Sequence, residues 1–186
     1  GTIQKILFNN KLKFSHSGVE ASKNSFNKNL TKLAISKTGV NYLKSIELSK
    51  EKIIKSFFLD CFKNIGAFVL KPVSSGSSFG VKLFKSIHDI DIFFDNFDHE
   101  ILIYIKHDNL MIEPYVHARE LTVGVIEEKG IAKPIEVTEI ISNNNFYDYE
   151  AKYTKGISKH ILPALVPPKI YDECLSNAKI VHDILG

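Results

Sequence analysis

The sequence predicts an α+β fold in which antiparallel sheets carry flanking helices. Stretches with helical apolar spacing and short strand-like stretches both occur, and the strand-like ones follow each other as hairpins instead of alternating singly with helices. The chain has 186 residues, of which 44% are hydrophobic and 24% are charged. This composition can bury the core of one moderate domain or two small ones, and it excludes a disordered or collagen-like chain.

Four stretches predict helices. A short one starts at Thr2, two longer ones span 22–38 and 49–63, and the last follows Pro167–Pro168. Each of the two longer stretches begins with a serine that can cap a helix and carries an apolar stripe at helical spacing. Each also ends shortly before a glycine, the residue best suited to terminate a helix.

The middle of the chain predicts a hairpin-like unit. An apolar strand at 67–71 leads into a loop of small residues at 74–80 and then into a second short strand at 81–84. Residues 87–109 fit either one helix or a helix broken near 96–98.

A second group of strands follows. Residues 110–113 read as an interior strand, and the alternating stretches 120–126 and 134–141 predict an antiparallel hairpin. Residues 142–159 are polar and lack an apolar period, which is typical of a functional loop or a disordered segment.

Charge, cysteine content and apolar run length limit the classes of partner. The 24 basic residues include a single arginine, Arg119, and the net charge is +3. Base reading and bidentate phosphate recognition favour arginine, so the dispersed lysines indicate a compositional bias and no nucleic-acid partner. Two cysteines and no leader predict a cytoplasmic protein, and no apolar run approaches the roughly 20 residues of a membrane span. Because the chain starts at Gly1 and its only methionine is Met111, we expect a piece of a longer protein.

The loop at 74–80 is the first candidate for chemistry. Backbone N–H groups and serine hydroxyls in such a loop can surround an anion, and Lys71 at the end of the preceding strand adds positive charge. These groups suit the phosphates of a nucleotide, although an ordinary hairpin loop fits the same residues. The loop lacks the spacing of a P-loop, and it does not open a helix, which disfavours a dinucleotide-binding turn.

Two further stretches could contribute to a nucleotide site. After the strand at 110–113, a turn at Pro114 exposes backbone groups that can read the edge of a base, and Glu120 can accept hydrogen bonds from ribose hydroxyls. Taken alone, glutamates at such positions are more typical of solvated strand ends. The stretch 146–153 holds three tyrosines, a phenylalanine and a lysine, which suits a lid over a charged ligand or a partner-binding patch.

Other kinds of catalytic site find no support. The histidines include no pair at the three- or four-residue spacing of a helical metal site. No Gly-x-Ser-x-Gly motif occurs, and Cys61 lies on an apolar helix face, so serine and cysteine catalysis are not predicted.

Taken in order, three stretches resemble the ATP-grasp domain of the D-alanine–D-alanine ligase family. They are LKPVSSGSSFGV at 70–81, IEPYV and RELTV within 112–123, and FYDYEAKY at 146–153, which is the most specific. GTIQ at 1–4 and the segment from HSGV to FNKNLTK at 16–32 also match, so the resemblance covers essentially the entire chain. It implies a ligase that joins two D-alanines for peptidoglycan precursors through an acyl phosphate, using ATP and Mg²⁺, and that is a homodimer at full length.

The resemblance also implies roles for single residues. Ser77 and Ser78 would lie over the γ-phosphate and the acyl phosphate, 113–116 would read adenine, and Glu120 would hold the ribose. Tyr153 would close the site through Ser77. The residues implied to bind the nucleotide are Lys28, Lys71, Ser77, Ser78, Glu113, Tyr115, Val116, Glu120, Phe146 and Lys152. The residues implied to be catalytic are Ser77, Lys152 and Tyr153.

By the same resemblance the chain divides into five parts. The end of an N-terminal domain would span 1–20, a helical linker region 21–66, and the central ATP-grasp subdomain 67–141. A flexible active-site lid would span 142–160, and 161–186 would be the truncated start of an incomplete C-terminal subdomain. The first D-alanine site and the Mg²⁺ ligands would lie outside the chain.

Two positions depart from the family pattern, and two other functions stay open. Asn27 stands where the family usually has an aspartate, and Pro114 stands where some members have a lysine. The chain could belong to another ATP-grasp ligase, joining a different carboxylate to an amine or hydroxy acid. It could also be a non-catalytic nucleotide-binding module.

Overall fold

A computed structural model describes residues 1–142 and 158–186. The chain divides into two compact units, one formed by Leu43–His117 and the other by Gly1–Tyr42 together with Ala118–Gly186. The described helices are α1 (Thr2–Asn9), α2 (Val19–Phe26), α3 (Lys28–Ile35), α4 (Lys55–Ile65), α5 (Ile87–Asp95), α6 (Phe97–Glu100) and α7 (Pro168–Leu185). The described strands are β1 (Ile46–Leu48), β2 (Phe68–Pro72), β3 (Lys82–Phe84), β4 (Leu110–Pro114), β5 (Glu120–Glu128), β6 (Ile131–Ser142) and β7 (Ser158–Ile161).

In the Leu43–His117 unit, a four-stranded sheet packs on helices. Its strand order is β1-β4-β2-β3, and every neighbouring pair is antiparallel. Phe68, Leu70 and Ile112 lie on one face and join the core with residues of α4 and α5. Because side chains alternate along a strand, Lys71 and Glu113 lie on the other face. The hairpin predicted from 67–71 and 81–84 is confirmed by the pairing of β2 with β3.

Aromatic rings fill this core. Phe58 of α4 is fully buried, and its ring centroid lies 5.7 Å from Phe68, 5.4 Å from Phe84, 5.7 Å from Phe93 and 5.2 Å from Phe94. Most of these contacts are edge-to-face, the arrangement that the ring quadrupole favours. Phe58 thus joins α4 to α5 and to both strands of the hairpin.

The other unit contains a three-stranded antiparallel sheet with the order β5-β6-β7, and α7 packs against β5 and β6. The predicted hairpin of 120–126 and 134–141 is confirmed by the pairing of β5 with β6. The turn between these strands consists of Lys129 and Gly130, with φ angles of 53° and 78°. Two successive positive φ angles match the right-handed twist of a two-residue hairpin.

Two predicted helices differ from the structure at their N-terminal parts. The stretch 22–38 is split into α2 and α3, because the Asn27 carboxamide accepts hydrogen bonds from the N–H groups of Asn29 (3.0 Å) and Leu30 (3.1 Å) and so starts a new helix. In the stretch 49–63, residues Lys50–Lys52 form a 3₁₀ turn, and the α-helix begins only at Lys55.

The ambiguous stretch 87–109 is a broken helix. It consists of α5, the short α6 and a 3₁₀ turn at Ile101–Ile103, and the break falls at Asn96. Asn96 also turns its carboxamide back onto the Ile92 carbonyl at 2.9 Å, a contact that competes with continuation of the helix.

The loop predicted at 142–159 overlaps strands at both ends. Ser142 ends β6, and Ser158 begins β7, whose four residues pair with β6 from Ser142↔Ser158 to Glu139↔Ile161. The strand β7 was not predicted because its residues are mostly polar, and pairing with β6 stabilises it instead of apolar burial. Residues 143–157 lie outside the described residues.

One ion pair joins three segments of the second unit. The Arg119 guanidinium donates from Nε to Glu139 Oε1 (2.6 Å), from Nη2 to Glu139 Oε2 (2.6 Å), and from Nη2 to the Leu165 carbonyl (2.8 Å). We call these three residues the Arg119 clasp. The hydrogen bonds from Arg119 hold the pKa of the Glu139 carboxyl below its usual range, and those to Glu139 raise the pKa of Arg119.

None of the helices in the described ranges is long and apolar enough to cross a lipid bilayer.

Removal of the central ring should destabilise the Leu43–His117 unit. We expect Phe58→Ala to lower the free energy of unfolding by about 3–5 kcal/mol, because it deletes buried area and leaves a cavity. Urea unfolding followed by circular dichroism measures this loss. The matched control is Phe8→Ala, since the Phe8 side chain is 69% exposed and its removal should change stability by about 0.5 kcal/mol or less. Equal losses in both variants would contradict the central place of Phe58.

The Arg119 clasp should make stability depend on pH in the acid range. Since the pKa of Glu139 is lowered in the folded state, its contribution is fully present above the unfolded value, about 4.3, and is lost as the pH falls through the folded value. We therefore expect Glu139→Gln to destabilise the chain at pH 7 and to differ less from the wild type at pH 3. Chemical unfolding at both pH values measures this convergence. The exposed Glu128→Gln should show no such convergence.

Candidate functional site

A buried ion pair lies on the sheet face opposite the aromatic core. In the β2–β4 register, Lys71 is opposite Met111 and Glu113 is opposite Val69, so Lys71 and Glu113 are diagonal neighbours on one face. Lys71 Nζ donates to Glu113 Oε2. The side chains are only 20% and 9% exposed. Removing either partner would take an ion-pair contact from a charge that has little access to water, a change that is destabilising in proteins.

This pair can still interact with a ligand. An ammonium group carries three donors and a carboxylate has several acceptor positions, so one bond between them leaves further capacity on both groups. Lys71 and Glu113 thus present a donor beside an acceptor on a partly buried surface. A flat ligand edge with an acceptor next to a donor would complement both.

The serine-rich loop at 74–80 starts just beyond the end of β2, with Val73 between Pro72 and the loop. Ser77 and Ser78 have φ angles of 52° and 58°, a left-handed conformation that costs a residue with a side chain about 1–2 kcal/mol. Backbone strain of this kind is concentrated at ligand-binding segments. Inside the loop, the N–H of Phe79 donates to the Gly76 carbonyl at 3.0 Å.

Both limbs of the loop are fixed by close contacts. At Gly80, where φ is 71°, a Cβ atom would lie 2.9 Å from Pro72 Cγ and 3.0 Å from Pro72 Cδ, so a side chain does not fit. On the other limb, the N–H of Val73 donates to the Asn109 carbonyl at 3.0 Å. The loop is thereby held against the ends of β2 and β4, the strands that carry Lys71 and Glu113.

The predicted base-reading segment continues β4. The N–H of Tyr115 donates to the Ala67 carbonyl at 2.8 Å, which extends the pairing with β2 beyond Pro114. Lys85 Nζ lies 5.5 Å from the centre of the half-buried Tyr115 ring, within the range of a cation–π interaction. Val116 follows and is exposed.

Two predicted residues lie in the other unit. Lys28 is the first residue of α3, directly after the capping Asn27, and is half-buried. Glu120 is the first residue of β5, is exposed, and follows Arg119 of the clasp. The structure thus groups the remaining described predictions in the Leu43–His117 unit, namely Lys71, Ser77, Ser78, Glu113, Tyr115 and Val116. Phe146, Lys152 and Tyr153 lie outside the described residues.

Three contacts were not predicted from the sequence. Within the Leu43–His117 unit they are the pairing of Lys71 with Glu113 and the contact of Lys85 with the Tyr115 ring, and in the other unit they are the partners of Arg119. The relation between Lys71 and Glu113 depends on strand register, which the residue pattern alone did not specify. Within residues 1–142 and 158–186, no cluster of three or more histidine, cysteine, aspartate or glutamate side chains could hold a metal ion.

Comparisons with known sequences identify the relatives of this chain. A family model described as D-ala D-ala ligase C-terminus matches residues 34–186. The D-alanine–D-alanine ligase of Rhodopseudomonas palustris (strain BisB18) is 36% identical over 189 residues, covering 100% of this chain and 56% of that protein. The D-alanine–D-alanine ligase of Wolbachia sp. subsp. Brugia malayi (strain TRS) is 34% identical over 196 residues, with 100% and 56% coverage. The chain spans about half the length of these curated relatives.

Solved structures share the fold. D-alanyl-alanine synthetase A from Vibrio cholerae O1 biovar eltor str. N16961 matches with a TM-score of 0.80 at 24% identity, covering 100% of this chain and 55% of that chain. A D-alanine–D-alanine ligase from Bacillus anthracis complexed with ATP matches with a TM-score of 0.70 at 22% identity, with 100% and 56% coverage. The predicted α+β fold of the ATP-grasp type is confirmed by this likeness. With the match over residues 34–186 and the similarity along its whole length, the chain belongs to the D-alanine–D-alanine ligase family.

Proposed function

We propose that this chain carries the nucleotide site of an ATP-dependent ligase that joins two D-alanines for peptidoglycan precursors. The observation that supports it most directly is the buried pair of Lys71 and Glu113 on strands joined to a strained serine-rich loop. The type of reaction is proposed from membership of the ligase family and from the similarity of the whole chain to D-alanine–D-alanine ligases.

The proposed reaction has two displacement steps. A carboxylate oxygen of the first D-alanine attacks the γ-phosphorus of ATP, the bond to the leaving ADP breaks, and an acyl phosphate forms. The amine of the second D-alanine then attacks the acyl carbon, and phosphate leaves. Both steps gain from positive charge and fixed donors around the phosphate oxygens and from exclusion of water.

Lys71 and Glu113 suit the edge of adenine. That edge presents the N7 acceptor beside the 6-amino donor, which complements an ammonium beside a carboxylate. In this proposal Lys71 donates to N7 and Glu113 accepts from the amino group. Ser77 and Ser78 face the phosphates, and Glu120 accepts from the ribose hydroxyls.

The remaining parts of the proposal rest on the family resemblance. Lys28, Tyr115 and Val116 contact the nucleotide, and Phe146, Lys152 and Tyr153 approach it from a lid. The full-length protein acts in the cytoplasm as a homodimer. Mg²⁺ accompanies ATP, and residues 1–142 and 158–186 contain no cluster of three or more histidine, cysteine, aspartate or glutamate side chains that could hold it.

Loss of the Lys71 ammonium should weaken nucleotide binding. A hydrogen bond to a charged group is worth about 1.5–3 kcal/mol, so we expect Lys71→Met to raise the Kd for ATP roughly 10- to 100-fold. Isothermal titration calorimetry measures this change. Thermal unfolding checks that loss of the Lys71 ammonium has not unfolded the variant, and Lys71→Arg, which keeps the charge, should recover part of the affinity.

The exposed Lys106→Met is the matched control and should bind ATP as the wild type does. An unchanged Kd in a folded Lys71→Met chain would count against the nucleotide site. It would favour the reading of 74–80 as an ordinary hairpin loop.

The Glu113 carboxylate should set the preference for adenine over guanine. Guanine presents an acceptor, O6, where adenine presents its amino group, and an acceptor is repelled by a carboxylate. We expect Glu113→Gln to narrow the ratio of Kd for GTP to Kd for ATP about tenfold, because the amide can donate to O6. Glu47→Gln, on the neighbouring strand β1, should leave the ratio unchanged. If Glu113→Gln leaves the ratio of Kd for GTP to Kd for ATP unchanged, the adenine does not contact Glu113.

A further inference from the structure

We propose that Arg119 is a positioning residue for nucleotide binding: by clasping Glu139 and Leu165 it holds the first residue of β5 so that Glu120 can meet the ribose hydroxyls. This inference rests on the proposed function, because it takes the ribose as the partner of Glu120. Arg119 itself need not touch the nucleotide. It acts through the backbone that it shares with its neighbour.

The start of β5 needs such support. Among the strands of the described residues, β5 lies at the edge of the order β5-β6-β7, and β6 is the strand that pairs with its backbone. The register begins at Glu120↔Ile140, and Glu120 is therefore the terminal rung of the ladder. Terminal residues of elements open at little free-energy cost unless something ties them down. A ligand-binding carboxylate at this position would lose affinity through fraying.

The clasp anchors Arg119 to a carboxylate that is almost fully buried. Glu139 lies on the central strand β6, where it pairs with Leu121 on one side and Ile161 on the other, and its side chain is only 8% exposed. Two parallel hydrogen bonds of 2.6 Å fix the plane of the guanidinium, and the third bond ties it to the Leu165 carbonyl just before α7. The Arg119 side chain is thus held at three points.

The anchor fixes the carboxylate on the opposite face. Successive side chains of a strand point to opposite faces, so holding the Arg119 side chain against Glu139 sets the direction of Glu120. A lysine could not replace this contact, since an ammonium is a point donor without the planar fork that matches a carboxylate. The other 23 basic residues of the chain are lysines, and the single arginine stands where bidentate geometry is used.

The test compares ATP with 2′,3′-dideoxy-ATP, which lacks the ribose hydroxyls. Because a misplaced hydrogen bond typically costs 0.5–1.5 kcal/mol, we expect Arg119→Lys to raise the Kd for ATP about 3- to 10-fold and to leave the Kd for dideoxy-ATP unchanged. Glu139→Gln should behave in the same way. Equal losses for both nucleotides would reduce Arg119 to a purely structural residue, and unchanged affinity for both would also overturn the inference.

Two controls separate this inference from the proposed function. Glu120→Gln must itself raise the Kd for ATP more than the Kd for dideoxy-ATP. If it does not, Glu120 does not bind the ribose, and this conclusion holds regardless of the result for the Arg119 variant. A wild-type chain that binds neither nucleotide overturns both proposals. Glu127→Gln, which disturbs the opposite end of β5, should leave both affinities as they are.

Hydrogen exchange gives a readout that needs no nucleotide. In Arg119→Lys, backbone amides within 117–123 should exchange faster than in the wild type, while those within 124–128 keep their rates. If exchange at the start of β5 does not change, Arg119 does not hold Glu120, and the inference is wrong.

Discussion

The packing of rings around Phe58 is the constraint on which the candidate site depends. Phe68 and Leu70 of β2 and Ile112 of β4 must face that core, and side chains alternate strictly along a strand. A shift of one residue would turn the whole apolar set to the other face, so burial of the rings determines the register. The same register places Lys71 diagonally beside Glu113 on the opposite face. A hydrophobic contact on one side of the sheet thus sets the geometry of an ion pair on the other.

The serine-rich loop shows how local strain is compensated by its surroundings. Ser77 and Ser78 adopt left-handed φ angles that an isolated chain would rarely populate. Gly80 against Pro72 and the hydrogen bond from Val73 to Asn109 hold the two limbs, and the strands behind them are stabilised by the ring core. The loop conformation is therefore a property of the whole unit.

Arginine and lysine have different uses in this chain. Lysines serve where a point charge suffices, as in the pair of Lys71 with Glu113 or the contact of Lys85 with the Tyr115 ring. The single arginine occupies the one described contact in which two parallel hydrogen bonds and a third acceptor are engaged together. In a chain whose other basic residues are lysines, the position of the single arginine thus marks a contact that uses bidentate hydrogen bonding.

The local sequence pattern was sufficient to predict the fold class, both hairpins, the last helix and the resemblance to the ligase family. Each of these predictions depends on features of neighbouring residues, namely apolar alternation, glycines after helices and the order of motifs. Tertiary structure decided what depends on distant partners. The strand β7 needs β6, and the Arg119 clasp joins residues 20 and 46 positions apart. The pair of Lys71 and Glu113 joins residues 42 positions apart through strand register. Sequence named the charged groups of the candidate site, but only the packed sheets determined which of them meet, because strand register is set by burial of the opposite face.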